Sequence, residues 1–349
     1  MRNRLRFVTV GLLSTAMMSI GSALAWADDG SIVLDLVRHG ESVDNAKGII
    51  DTVPPGTQLD ATGDGQATAV ATAIQNEYTN IAGIFSSDEI RSQETATPLA
   101  QELNMYPLDP SHILSGLNEI PAGSFEGDST TSLEGILYLL GPLSWVFGDV
   151  LMPDIGDPNV NGVTFDESFG GAVQTIYGDT VGGAGTSVND VAFSSEGAIA
   201  VWTMMNVNNP DFSVLLQEIE QTDGFLPNAG QVVIEGSPGD WTLVSYDGTA
   251  VPQDPGLPTE LFVDFRNLIE APQFAGYDIY QALLTGNSTT IENGLQAGLN
   301  QVDTALAQFP VSVSDDIVAT LTGGTPAAAT DLAGLGDLGT LVGEAFAGL

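Results

Sequence analysis

Ile32-Val33-Leu34-Asp35-Leu36-Val37-Arg38-His39-Gly40-Glu41-Ser42-Val43-Asp44-Asn45 is the stretch on which the fold and the chemistry of this chain turn. From Ser31 to Val37 aliphatic and β-branched residues run almost without interruption, the pattern of a strand buried on both faces. A guanidinium, an imidazole and a glycine follow directly at its C-terminal end. Open α/β sheets bind ligands beyond the carboxyl ends of their strands, so Arg38-His39-Gly40 lies where a site is expected.

Working outward, Gly63 to Glu77 carries Ala67, Val70, Ala71 and Ile74 at helical spacing, and Ile81 to Phe85 is a short apolar strand. Ala96, Leu99, Ala100 and Leu103 repeat the helical spacing. Strand, helix, strand, helix predicts an α/β fold with a mostly parallel central sheet flanked by helices. Val191 to Phe193 reads as another core strand, and Val232 to Ile234 with Trp241 to Tyr246, separated by Gly236-Ser237-Pro238-Gly239, reads as a terminal hairpin. Residues 128 to 180 read as less regular. Within them Gly135 to Gly148 carries no charge and is interrupted by Gly141 and Pro142. It is too short and broken to span a bilayer, and three roles stay open: core packing, an apolar cap over the site, or a lipid contact.

Beyond Pro258 the chain reads as a C-terminal helical appendage, with Ile291, Leu295, Leu299, Val302 and Leu306 on one apolar face after Gly286-Asn287-Ser288. From Thr322 Gly, Ala, Thr and Leu dominate, the composition of a weakly structured tail. At the other end Arg2, Arg4 and Arg6 precede an apolar stretch from Phe7 to about Ile20, and Ala23-Leu24-Ala25 and Ala25-Trp26-Ala27 offer small-residue cleavage sites. These are the marks of an export signal over 1–27, which predicts a secreted or cell-envelope protein. An uncleaved anchor is the alternative, weakened by the Gly, Ser and Thr of the segment. The expected division is therefore 1–27 signal, 28–255 main domain, 256–321 helical extension and 322–349 tail.

The sequence of 349 residues has 45 acidic residues and 7 basic ones. All the acidic residues lie after Ala27, where the cations that remain are Arg38, Lys47, Arg91 and Arg266, for a net charge near −41. Such a charge repels nucleic acid and anionic membrane surfaces. It also means that each remaining cation needs a reason. With no cysteine and two histidines, neither disulfides nor a cofactor or metal motif is indicated, and the one metal chemistry left open is a carboxylate-only calcium site.

Phosphoryl transfer through a covalent intermediate needs a nucleophile, fixed positive charge and an acid for the leaving alcohol. Arg38-His39-Gly40-Glu41-Ser42-Val43-Asp44-Asn45 resembles the Arg-His-Gly-x-Ser-x-x-Asn signature of the histidine phosphatase (phosphoglycerate mutase-like) superfamily. Three further blocks follow in the family's order. They are Leu59 to Ala67, then Ser86 to Arg91 with Thr95-Ala96, then Leu117 to Gly127. The resemblance spans roughly Ile32 to Tyr246 in scattered blocks. It implies transient phosphorylation of His39, a phosphate held by Arg38, Ser42, Asn45 and Arg91, and Glu119 as general acid, with Glu126 supporting its loop.

The departure lies at the last core strand, where the family carries Ser-His-Gly-Gly and this chain has Ser194-Ser195-Glu196-Gly197. By position Ser195 replaces the second imidazole of the phosphate pocket. His112 matches no catalytic position and reads as an ordinary strand-edge or loop histidine. The resemblance implies an exported phosphomonoesterase, weakened by Ser195, acting on a small phosphorylated substrate. The alternatives are a pseudophosphatase that binds an anionic ligand or a protein partner, and an envelope protein whose helical extension carries the partner surface.

Overall fold

The computed structural model describes residues 30–183, 188–222 and 224–321. The expected export signal and the tail from Thr322 lie outside the described residues. A six-stranded mixed sheet forms the centre, in the order β2-β3-β1-β4-β5-β6. Its strands are β1 (Ile32–Arg38), β2 (Gly83–Ser86), β3 (Asn189–Ser194), β4 (Gln231–Ser237), β5 (Asp240–Tyr246) and β6 (Thr249–Ala250). The centre formed by β2, β3 and β1 is parallel, and β4 to β6 add an antiparallel edge that contains the expected hairpin.

The parallel strands β1, β2 and β3 are buried on both faces, as the nearly continuous apolar run of β1 requires. On one face Val37, Val191 and Phe193 pack against α1 (Ala61–Glu77) and α2 (Ile90–Glu102) through Val70, Ala71, Ile74, Ala96 and Leu99. On the other, Leu34, Leu36 and Ala192 meet the aromatic core of α4 (Gly162–Gly182) and α5 (Glu196–Asn206). Asp60 starts α1 by accepting hydrogen bonds from the amides of Thr62 and Gly63 at 2.8 and 2.9 Å. A Cβ on Gly63 would lie 2.2 Å from the Glu41 carbonyl oxygen, so this glycine lets α1 close against the loop that carries the site.

The region expected to be least regular holds two helices. α3 (Leu133–Val146) runs through Gly141 and Pro142 without a break. α4 opens with a reciprocal cap in which Asn161 accepts from the Thr164 amide and Thr164 Oγ1 accepts from the Asn161 amide, both at 3.0 Å. Its glycines and threonines hid it from a propensity reading, but Val163, Phe165, Phe169, Val173 and Ile176 give it a buried face that tertiary packing rewards.

The helical extension is a pair, α6 (Phe212–Thr222) being the last helix of the main body, with α7 (Leu257–Leu284) and α8 (Ser288–Leu321) after it. Arg266 anchors α7 to the body. It is buried and donates to the carbonyls of Met204 at 2.7 Å and Val207 at 3.3 Å, where α5 ends and a cation is favoured. The apolar face expected on α8 is not its packing face: Leu295, Leu299 and Leu306 are exposed, and α8 meets α7 through Gly298, which sits against Ile279 and Ala275, and Ala305. Small residues allow the closer approach of the two backbones. Among the described residues, no helix is long and apolar enough to cross a membrane.

Candidate active site

Three parallel strands deliver the site residues at one end of the sheet. β1 ends in Arg38 and leads into His39, β2 leads through Ser87 to Glu89 and Arg91, and β3 leads into Ser195 and Glu196. The His39 amide donates to the Ser194 carbonyl at 3.0 Å, so the ends of β1 and β3 are stitched together beneath the imidazole. The Gly40 amide donates to Thr95 Oγ1 at 2.9 Å, and that hydroxyl donates to the Arg91 carbonyl at 2.6 Å, which locks the loop to α2.

The imidazole itself is fixed at both nitrogens. His39 Nδ1 lies 2.7 Å from the Gly40 carbonyl, which can only accept, so Nδ1 carries the proton and the lone pair is on Nε2. Arg91 Nε donates to that lone pair at 2.9 Å. Burial, then the charges of Arg91 and Arg38, hold the ring's pKa well below the usual histidine value, against the pull of the Gly40 carbonyl. His39 is therefore a neutral base whose Nε2 lone pair is engaged by Arg91.

Glu119 closes the same cavity. Its carboxyl accepts from the amides of Ile120 at 2.9 Å, Gly197 at 3.0 Å and Ala198 at 2.8 Å, at the N-terminal end of α5. Burial pushes its pKa up despite these donors, and the neighbouring Glu196 adds to the rise. An upward shift is the direction a general acid needs. Glu126 supports the loop, accepting from Thr52 Oγ1 at 2.7 Å and from the Thr52 amide, while Thr52 Oγ1 takes the Ala122 amide at 3.0 Å.

Arg38, His39, Asn45, Arg91 and Glu119 line one cavity of about 470 Å³. Ser42 and Ser195 do not. Ser42 is buried and its hydroxyl accepts from the Asn45 amide at 3.1 Å, so it shapes the loop. Ser195 is buried and its hydroxyl donates to Glu89 Oε2 at 2.7 Å. His112 lies outside the cavity, its ring against Phe85 and its Nδ1 3.1 Å from the Ile84 carbonyl.

The charge balance of the cavity was not legible in the spacing. Glu89 is fully buried and accepts from Arg91 Nη2 at 2.5 Å; burial pushes its pKa to about 7 even against Arg91 and Ser195. Asp51 Oδ2 takes Arg91 Nη1 at 3.1 Å. Arg38 pairs with Glu196 at 2.9 Å and also donates to the Leu226 carbonyl. Both guanidiniums of the cavity are thus already met by carboxylates. The other two cations are elsewhere, Lys47 exposed and paired with Asp44 at 2.8 Å, and Arg266 at the end of α5. Among the described residues, no group of three or more His, Asp or Glu is placed to hold a metal ion.

Residues 34–136 match the family described as histidine phosphatase superfamily (branch 1). The chain is 46% identical over 298 residues to the PE-PGRS family protein PE_PGRS11 of Mycobacterium tuberculosis, covering 82% of this chain and 48% of that protein. It is 35% identical over 127 residues to the uncharacterized protein Rv0525 of the same organism, covering 36% of this chain and 58% of that one. The chain thus spans about half the length of these relatives. Among solved structures, phosphoglycerate mutase from Bacillus anthracis superposes with a TM-score of 0.49 at 17% identity, over 64% of this chain and 95% of that one. A mycobacterial glucosyl-3-phosphoglycerate phosphatase in complex with VO3 gives a TM-score of 0.46 at 18% identity, over 62% and 100%.

Proposed function

Because the chain belongs to the histidine phosphatase superfamily, branch 1, we propose that it is an exported phosphomonoesterase that works through transient phosphorylation of His39 Nε2, with slow turnover at neutral pH. The observation that carries this reading is the imidazole: neutral, oriented by Gly40, with Nε2 turned to Arg91 in a cavity shared with Glu119.

In the first step Nε2 attacks phosphorus, the ester P–O bond breaks, and Glu119 gives its proton to the departing alkoxide. Arg91 and Arg38 neutralise the phosphoryl oxygens, which requires Arg91 Nε to exchange its bond to Nε2 for one to phosphate. In the second step water attacks phosphorus, its proton passes to the Glu119 carboxylate, and the N–P bond breaks. Free enzyme, alcohol and inorganic phosphate result.

The slow rate follows from the carboxylates. Entering phosphate must compete with Glu196 for Arg38 and with Glu89 and Asp51 for Arg91. Where the family has a second imidazole, a serine committed to Glu89 offers no positive charge. Losing one such donor at the developing charge costs roughly 10²–10³ in rate.

These same ion pairs favour a second reading, a pseudophosphatase that holds an anionic ligand without turning it over. Hydrolysis of a phosphomonoester panel by wild type, His39→Ala and Glu119→Gln separates the two. Phosphatase action predicts slow wild-type hydrolysis that vanishes in His39→Ala and falls roughly 10²–10⁴-fold in Glu119→Gln. Phosphate binding with no hydrolysis in any protein would establish the second reading instead.

A further inference from the structure

The uncharged segment from Gly135 to Gly148 has a role that the phosphoryl chemistry leaves unused. In α3 its buried residues, Trp145 and Val146 among them, join the core. Its half-buried residues Ile136, Leu139, Leu140 and Leu143 instead line the cavity above His39, and Ile219 and Phe225 complete that wall. The ring of Tyr138 belongs to the same wall, and its hydroxyl is spent on the Ile120 carbonyl at 2.5 Å. The cavity thus combines the polar residues around His39 with an apolar wall supplied largely by α3.

The charges on that cavity point the same way. Its lining holds two cations, Arg38 and Arg91, both needed by the phosphoryl group, and, besides the proposed acid Glu119, three carboxyls, Glu41, Asp51 and Glu196. A second anionic group on the substrate would find no free cation there and would meet like charge, which is strong discrimination in a part-buried site. An alkyl or prenyl chain would cover the exposed side-chain area of α3, with a favourable contribution from each methylene removed from water. A cavity of this size is within the range that encloses such a ligand.

We infer that the substrates are phosphomonoesters of apolar alcohols, alkyl or prenyl monophosphates, and that the α3 wall and the cavity carboxylates together exclude phosphorylated acids such as phosphoglycerates. This rests on the phosphatase reading for turnover, but the ligand preference is measurable without it.

The test is a series of n-alkyl phosphates from butyl to octyl, kept below micelle formation, beside 3-phosphoglycerate, with the matching n-alkylphosphonates as non-hydrolysable binding probes. We expect kcat/KM to rise about threefold per methylene, on the order of 100-fold across the series, and 3-phosphoglycerate to fall below butyl phosphate. Leu139→Asn and Leu140→Asn should each flatten the series, and Leu139→Arg should raise the rate with 3-phosphoglycerate relative to butyl phosphate about tenfold. A flat or falling chain-length series, or a preference for 3-phosphoglycerate, overturns the substrate class and leaves the His39 chemistry intact. No hydrolysis of any ester, with octylphosphonate still bound far more tightly than butylphosphonate, overturns the phosphatase reading and leaves the ligand class standing. Phosphonate binding that does not depend on chain length overturns the ligand class, whatever the variants do.

Discussion

The ends of β1 and β3 lie side by side, Arg38 opposite Ser194 in the register, yet they carry opposite chemistry, and of the residues after β3 it is Glu196 that reaches the cavity while Ser195 stays buried behind it. β1 ends in a guanidinium and an imidazole; β3 runs into a hydroxyl and a carboxylate, Ser195 and Glu196. The consequences spread from there. Glu196 takes Arg38, and Ser195 supports Glu89, which takes Arg91. The residues after β3 thus pair, directly or through Glu89, with the cations delivered by β1 and β2. In the proposed mechanism His39 and Glu119 remain available as nucleophile and acid, while both guanidiniums that would hold a dianion are already paired.

Exchanging the chemistry of the β3 end should give the largest effect. Ser195 and Glu89 are both fully buried and in contact, so an imidazole at position 195 needs the room that the Glu89 side chain fills. We expect Ser195→His combined with Glu89→Ala to raise kcat for butyl phosphate by roughly 10²–10³. Ser195→His alone should gain much less and lose about 1–3 kcal/mol of stability from overpacking, read as a lower Tm. A double variant no faster than wild type would mean that the β3 end does not limit the rate.

Freeing Arg38 is the next step down. Glu196→Gln removes the carboxylate 2.9 Å from its guanidinium, and sulfate affinity measured by calorimetry should rise about tenfold, equivalent to ~1.4 kcal/mol. Unchanged affinity would show that the Arg38–Glu196 pair does not compete with anions.

The smallest effect is a pH dependence at the β2 end. Glu89 has a pKa raised to about 7 by burial, so it is ionised and holds Arg91 above that pH and takes up a proton below it. Sulfate keeps its charge through this range, so its affinity should rise several-fold as pH falls through about 7. In Glu89→Gln the profile should be flat at the acid-limb value. A Gln variant that keeps the wild-type profile would move the titration to another group.

How far these features were legible in the sequence follows the same division. The β1 end, the start of α1 and the Ser86 to Arg91 block are local: an apolar run, a capping aspartate and a motif in order declare them. The expected hairpin and the helices around Val70 and Leu99 are likewise local periodicities. Glu89 was invisible as a partner, because its meeting with Ser195 joins positions 106 residues apart. Asp51 reaches Arg91 across 40 residues with no motif of its own. α4 was missed because its helical signal is diluted by glycine and threonine and restored only by packing. On α8 the periodicity was real but Leu295, Leu299 and Leu306 face out, Ile291 and Val302 are only half-buried, and the close contact with α7 is made at Gly298.

In the proposed mechanism His39 Nε2 accepts the phosphoryl group. Wild type and His39→Ala should be mixed with acetyl phosphate or an alkyl phosphate for a few seconds, quenched in alkali and mapped by mass spectrometry. We expect base-stable, acid-labile phosphate on the peptide carrying His39 in wild type and none in His39→Ala. Phosphate on another residue, or hydrolysis that continues in His39→Ala, would contradict it.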